Sequence, residues 1–139
     1  TNGDKHISDA TNASRTCLLN IKTAKWDKRL CELFNVPMPL LPEIVDCAGN
    51  LGNAHTGLSK QLPILSAIGD QQSASVGQAC FHPGSVKATF GTGCFVILNT
   101  GGRILKSLNR LLTTIGLQLI SNMQILQRCL KNNLNPKLV

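Results

Sequence analysis

Two short stretches of the sequence hold residue types that could do chemistry together. The first runs Gly-Asp-Gln-Gln at 69–72 and places one carboxylate, Asp70, beside two amides. A carboxylate within hydrogen-bond reach of an alcohol can accept its proton as a general base, and an amide can hydrogen-bond hydroxyl groups. The stretch therefore suits a site where an alcohol attacks phosphorus. The residue types also fit a helix N-cap at Asp70 followed by surface glutamines, so both interpretations stay open.

The second stretch is the tripeptide Gly91-Thr92-Gly93, which lies between two apolar runs. Glycines at these positions can adopt positive φ and let a ligand approach the backbone. Successive N–H groups in such a turn can form a concavity that binds anions, and the Thr92 hydroxyl adds a further donor. The turn would suit a nucleotide phosphate, and it equally fits an ordinary hairpin connection.

The segments on either side of Asp70 predict a strand and then a helix. Residues 62–68 are apolar and bounded by chain-breaking residues, which indicates a buried strand, and residues 73–80 indicate a helix. Asp70 would then lie just past the carboxyl end of the strand, where open α/β sheets bind their ligands.

The segments around the glycine turn predict a β-hairpin. Residues 86–90 and 94–99 have strand character, and the tripeptide between them is short enough to join two antiparallel strands. A turn is predicted just before the hairpin, at residues 82–84.

Elsewhere the sequence predicts little regular structure. Asp27 is placed to cap a short helix, and the three prolines that follow prevent a long one. Residues 1–16 are polar and are predicted to form a loop or a short turn-rich segment. Residues 46–61 are rich in Gly, Asn and Ser and are predicted to form a surface loop.

Composition narrows the class of protein. The chain has 139 residues, 42% of them hydrophobic, which fits one ordinary domain with a packed core. Its net charge of +7 is scattered, and four Phe, one Trp and no Tyr give few stacking groups, so nucleic-acid binding is not expected. No apolar run is long enough to span a membrane, and the polar start is unlike a signal peptide, which indicates the cytoplasm. The six cysteines form no C-x-x-C pair, so buried thiols are expected and no metal-binding residues are predicted.

Several motifs, in order, resemble the glycerol kinase branch of the FGGY carbohydrate kinase family. They are HISDATNASRTCLLNI at 6–21, WDKRLCELFNVPMPLLPEI at 26–44, PILSAIGDQQSASVGQACFHPG at 63–84 and KATFGTGCFVILNTG at 87–101. The similarity continues through LLTTI at 111–115 to about residue 124. The TNASRT and GDQQ motifs are more similar to glycerol kinases than to the kinases of xylulose or gluconate.

The resemblance implies a fold and a domain division. The fold is α/β, of the actin-like ATPase (ribonuclease H-like) type, in which two domains enclose a cleft. Residues 1–79 match the C-terminal part of the first domain, on the glycerol side, and residues 80–124 match the start of the second, with its nucleotide-binding hairpin. The fold would thus be partial, and we expect an internal fragment. Residues 125–139 do not resemble the family, which a frameshift or a genuinely divergent terminus would explain.

The resemblance also implies an activity and residue roles. The reaction transfers the γ-phosphoryl group of ATP to glycerol, giving sn-glycerol 3-phosphate, with Mg²⁺ as cofactor. By motif position Asp70 matches the catalytic base and a glycerol ligand, Gln71 matches a ligand of the glycerol hydroxyls, and Phe95 matches the aromatic wall beside the glycerol carbons. The Gly91-Thr92-Gly93 turn matches the nucleotide phosphate loop. The partners implied are glycerol and ATP, in a homo-oligomer.

A non-catalytic interpretation stays open. The family's N-terminal phosphate loop, its Arg-Glu pair for glycerol and its C-terminal adenosine loop have no match in the chain, so the chain alone is expected to be inactive. The alternatives to a kinase are a kinase remnant without chemistry and a small basic binding module.

Overall fold

The computed structural model describes residues 1–55, 57, 61–108, 111–117 and the backbone of 136–138. The N-terminal part is organised around a short parallel strand pair, in which β1 (Ile7–Asp9) pairs with β4 (Glu43–Val45) and Asp9 lies opposite Val45. Helix α1 (Ala10–Ala13) follows β1 without a break. The prediction of a loop or turn-rich segment over 1–16 is therefore wrong for residues 7–13. A three-residue strand is too short to show periodicity, and its partner lies far along the chain.

The next segment forms a small hairpin and a capped helix. Strand β2 (Leu19–Asn20) pairs antiparallel with β3 (Lys25–Trp26), and α2 (Lys28–Leu33) follows. The Asp27 carboxylate accepts hydrogen bonds from the N–H groups of Arg29 at 3.0 Å and Leu30 at 3.2 Å, so the predicted helix cap is confirmed. A 3-10 helix at Met38–Leu40 then leads into β4.

The apolar run at 62–68 does not form the predicted buried strand. Only β6 (Leu62–Pro63) is a strand, and it pairs antiparallel with β5 (Asn53–Ala54). Further hydrogen bonds, such as Ile64 N–H to Gly52 at 2.8 Å, continue this pairing as an irregular ribbon. The ribbon has no further strand beside it among the described residues, so Leu62 and Leu65 are 50% and 60% exposed.

Helix α3 (Asp70–Gly77) begins three residues before the predicted helix and ends three residues earlier. Its start follows from Gly69, which has extended φ and ψ and serves as the N-cap, and Asp70 in the first turn complements the helix dipole. Its end follows from Ala79, which adopts the left-handed conformation with φ 53° and stops the helix.

The predicted hairpin is confirmed, with the predicted ends. Strand β7 (Val86–Phe90) pairs antiparallel with β8 (Cys94–Asn99), and the turn at 82–84 precedes it. Two further strands extend the sheet in the order β7-β8-β10-β9, namely β9 (Leu112–Thr113) and β10 (Pro136–Leu138). Strand β10 belongs to the 125–139 stretch that does not resemble the family; the rest of that stretch lies outside the described residues.

One hydrophobic cluster of the described residues is centred on Cys47, whose thiol lies 3.5 Å from the Asp9 carboxylate at the end of β1. Cys47 is 1% exposed and packs against Ala48, Ile68, Phe81 and Leu117. Among the described cysteines, Cys31, Cys47 and Cys80 are buried as expected, whereas Cys17 and Cys94 are exposed. Among the described residues no helix is long and apolar enough to cross a membrane.

Candidate active site

Asp70 is the first residue of α3, and its side chain is exposed. Its Oδ1 accepts a hydrogen bond from Gln71 N–H at 2.7 Å, and no cation of the described residues forms an ion pair with it. The N-cap is Gly69, so the interpretation of Asp70 as an N-cap is wrong. The placement of Asp70 after a buried strand is also wrong, because the preceding run is an exposed ribbon. What remains is an exposed carboxylate on the first turn of a helix, open to an incoming group.

A buried polar network fixes the backbone just before this carboxylate. The Thr11 hydroxyl accepts a hydrogen bond from Gly69 N–H at 2.7 Å and donates one to the Asp9 carboxylate. Asp9 also accepts from Thr11 N–H at 2.8 Å, which caps α1. Asp9 and Thr11 are 1% and 0% exposed. Buried polar groups of this kind are costly to leave unpaired, so the contacts define the position of Gly69 closely.

A second part of the network holds the inner side of α3. Gln72 is 3% exposed, and its Nε2 lies 3.5 Å from Thr114 Oγ1 and 3.4 Å from the Ile115 carbonyl. The Thr114 hydroxyl in turn lies 2.5 Å from that of Ser14. Gln72 is therefore a buried structural residue and not a surface or hydroxyl-binding one. Sequence reasoning missed Asp9, Thr11 and Thr114 as supports of the acid, since nothing local marks polar residues that become buried.

Gln71, unlike Gln72, is directed toward the hairpin. Its Oε1 accepts a hydrogen bond from Lys87 Nζ at 2.6 Å. Lys87 lies on β7 and is 1% exposed. The structure thus joins the first turn of α3 to the hairpin that carries the glycine turn, through a lysine that sequence reasoning did not single out.

Phe95 lies on the same face of the hairpin as Lys87. Thr89 pairs with Phe95 and Lys87 pairs with Ile97, and cross-strand partners share a face. The hydroxyl of Thr89 is buried without a hydrogen-bond partner among the described residues. The Phe95 side chain is 44% exposed, so part of its ring is available to a ligand. Gln71 therefore contacts the hairpin face that carries Phe95, which lies two residues before Ile97, the cross-strand partner of Lys87.

The Gly91-Thr92-Gly93 turn is exposed along its whole length. Gly91 N–H donates to the Gly93 carbonyl at 3.1 Å, which closes the turn. Neither glycine has positive φ, so the expected use of that conformation is wrong. Space near Gly93 is tight instead, because a Cβ there would lie 3.2 Å from Cε2 of Phe95 and the ring would have to shift slightly. Within the described residues the N–H groups of Thr92 and Gly93 have no acceptor, and they and the Thr92 hydroxyl could bind a phosphate.

Comparison with known proteins places this arrangement in a family. A model of the N-terminal domain of the FGGY family of carbohydrate kinases matches residues 1–77. The chain belongs to the FGGY family. Two curated relatives, glycerol kinase of Ectopseudomonas mendocina and glycerol kinase 1 of Pseudomonas aeruginosa, are 54% and 53% identical to it over 120 residues. Each match covers 86% of this chain and 24% of the relative, so the chain spans about a quarter of the length of these FGGY kinases.

Solved structures of FGGY kinases show the same fold. Plasmodium falciparum glycerol kinase with ADP matches 95% of the chain and 25% of its own, at 40% identity and a TM-score of 0.79. A ligand-bound xylulose kinase from Lactobacillus acidophilus matches 96% of the chain and 25% of its own, at 17% identity and a TM-score of 0.72. The chain therefore has part of the α/β, actin-like ATPase fold of FGGY sugar kinases, as the sequence motifs implied.

Proposed function

We propose that this chain carries the catalytic base and phosphate turn of an ATP-dependent glycerol kinase. The observation that carries the proposal is the exposed Asp70 carboxylate at the end of a buried polar network, in a chain about half identical to glycerol kinases over 120 residues. Gln71 and Phe95 would bind a hydroxyl and the carbons of glycerol. The Gly91-Thr92-Gly93 turn would bind ATP phosphates. Residues 1–79 would belong to the first domain and 80–124 to the second.

The chemistry follows from the roles of these groups. Asp70 accepts the proton of a glycerol hydroxyl while the hydroxyl oxygen forms its bond to the γ-phosphorus. The bond from phosphorus to the bridging oxygen breaks, and ADP leaves with that electron pair. The turn donates N–H and O–H groups to phosphate oxygens, which carry the charge of the transferred group. Phe95 shields the alcohol from water, the competing acceptor.

The turn has groups that suit a phosphate, whereas the described residues do not provide a complete set of ligands for Mg²⁺. The turn offers bare backbone and a hydroxyl to an anion, as nucleotide phosphates need. No group of three His, Cys, Asp or Glu lies together in the described ranges, so these residues form no complete metal site. We propose Mg²⁺ as the ion that accompanies ATP, together with a cytoplasmic homo-oligomer as the form of the whole kinase.

The proposal is tested in a chimera that supplies a complete kinase. Residues 1–117 of this chain replace the matching segment of Ectopseudomonas mendocina glycerol kinase, and ATP-dependent phosphorylation is measured with glycerol, xylulose and gluconate. We expect turnover with glycerol and a kcat/KM at least about 100-fold lower with the other two, since misplaced hydroxyls leave polar groups of the site unpaired. The chain alone, assayed in parallel, should show no turnover. A folded chimera without glycerol phosphorylation would favour the non-catalytic remnant or binding module.

A further inference from the structure

Lys87 is a buried cation whose observed partner is a neutral amide. Its side chain is 1% exposed, and its ammonium donates to Gln71 Oε1 at 2.6 Å. In the described part of the chain no carboxylate lies within ion-pair distance of it. Removing an ammonium group from water without a counter-charge is unfavourable, and a well-packed apolar side chain at such a position is often neutral or stabilising. Stability therefore does not account for a lysine here.

The contact does define the orientation of Gln71. An ammonium group has three donors and no acceptor, so only the carbonyl end of the amide can face it. Oε1 is therefore held against Lys87, and the Nε2 end is the one left for other partners. Within the described residues Nε2 donates to no protein acceptor. Without Lys87 the amide could turn and present either end.

An amide held in this orientation can act only as a hydrogen-bond donor to an alcohol. Nε2 donates to a hydroxyl oxygen, and the proton of that hydroxyl stays available to an acceptor. The next residue toward the N-terminus is Asp70, which stands on the same helical turn with an exposed carboxylate. An amide turned the other way would compete with Asp70 for the proton. The orientation set by Lys87 thus favours proton transfer to the base.

We propose that Lys87 is a positioning residue, which holds the amide of Gln71 with its N–H₂ group toward the alcohol substrate. This inference rests on the proposed function, because the alcohol is the one that Asp70 would deprotonate. Lys87 acts through Gln71, since its own side chain is 1% exposed and donates to the Gln71 amide.

The test uses the same chimera and the variant Lys87→Met, which keeps a long unbranched side chain without the charge. We expect the KM for glycerol to rise about tenfold, since a free glutamine side chain must be ordered on binding. The KM for ATP should change less than about twofold, and the melting temperature should stay equal or rise. Lys106→Met removes one exposed charge and should change none of these values.

A double variant separates positioning from packing. In a Gln71→Ala background Lys87→Met should add no further rise in the KM for glycerol, because no amide remains to be oriented. Additive effects of the two substitutions would overturn the inference, and so would an unchanged KM for glycerol in Lys87→Met alone.

An inactive chimera would count against the proposed function, and the inference still has a readout of its own. The side-chain ¹⁵N–¹H₂ resonances of Gln71 should be ordered in the unmodified chimera and motionally averaged in Lys87→Met. Equal order in both proteins would overturn the role of Lys87 whatever the activity.

Discussion

The acid stretch at 69–72 and the glycine turn at 91–93 are supported in opposite ways. Buried hydrogen bonds hold the acid stretch in place. Gly69 N–H donates to the Thr11 hydroxyl, and the Gln72 amide donates to the Thr114 hydroxyl. The glycine turn is exposed and is closed by a single hydrogen bond of its own backbone. A base must be placed within a fraction of an ångström of its proton, whereas a phosphate loop needs unpaired donors. The buried hydrogen bonds of the acid stretch and the exposed donors of the turn therefore match the roles proposed for a base and a phosphate loop.

The two stretches also differ in what a substitution can reach. Substitutions of the buried residues that support Asp70, such as Thr11, should lower both stability and turnover. Changes at the turn should affect ligand binding alone, because little of the protein depends on it. In the chimera, substitutions in the two stretches should show this separation.

The largest effect is expected from Asp70→Asn. The amide has the same size but cannot take a proton, so kcat should fall by roughly 10²–10⁴-fold, the usual range for general-base catalysis. The KM for ATP should change little, since the turn is untouched. The melting temperature should fall only slightly, because Asp70 is exposed and is not the helix cap, and only its interaction with the helix dipole is lost. Steady-state kinetics and a melting curve measure all three; a kcat near that of the unmodified chimera would remove the catalytic assignment.

The same substitution made in both regions gives the sharpest comparison. Thr11→Val removes the buried hydroxyl that donates to Asp9 and accepts from Gly69 N–H, which should lower the free energy of unfolding by about 1–3 kcal/mol. Thr92→Val removes one exposed hydroxyl, so unfolding should be unchanged while the KM for ATP rises about three- to tenfold. Urea unfolding and ATP titration check the pair. Similar losses of stability in both variants would contradict the separation.

A smaller effect is expected where the turn meets the aromatic wall. Gly93→Ala brings a Cβ to 3.2 Å from Phe95 Cε2, so the ring must shift by a few tenths of an ångström. Because the ring is partly exposed it can give way, and the KM for glycerol should rise only about twofold. Gly91→Ala is the matched control, since its Cβ would meet only the Gly93 carbonyl at 3.9 Å. An equal rise in both variants would show that Phe95 is not involved.

The smallest effect concerns Asp27, which belongs to neither stretch and serves as a control. The hydrogen bond from Leu30 N–H, followed by that from Asn20, lowers the pKa of Asp27 from its usual 3.8. A lowered pKa means that the stabilisation is complete above about pH 3.8 and is lost as the pH falls through the folded-state pKa. Asp27→Asn keeps the cap, so its unfolding midpoint should depend slightly less on pH between 4 and 2.5. Parallel denaturation at several pH values measures this; identical slopes would contradict it.

The parts of the fold that the sequence predicted correctly are local ones. The hairpin at 86–99 follows from two strand-like runs and a three-residue turn, and the Asp27 cap follows from one residue before a helical pattern. The supports of the acid could not be predicted in this way. The Thr11–Gly69 contact joins residues 58 apart and the Ser14–Thr114 contact joins residues 100 apart. Lys87 was missed for a similar reason, because nothing within β7 indicates that its ammonium meets α3.

The contact between Ser14 and Thr114 also has a consequence for how the chain folds during its synthesis. Closing a flexible loop of that length costs about 4 kcal/mol in chain entropy, whereas α2 and the β7–β8 hairpin need only neighbouring residues. A ribosome adding about 5–20 residues per second takes roughly 5–20 s to cover the distance. The local elements are formed before then, and the Ser14 hydroxyl stays hydrated until Thr114 is made. Nascent chains stalled before residue 114 should therefore leave the chain around Ser14 more open to proteases than chains stalled well beyond it.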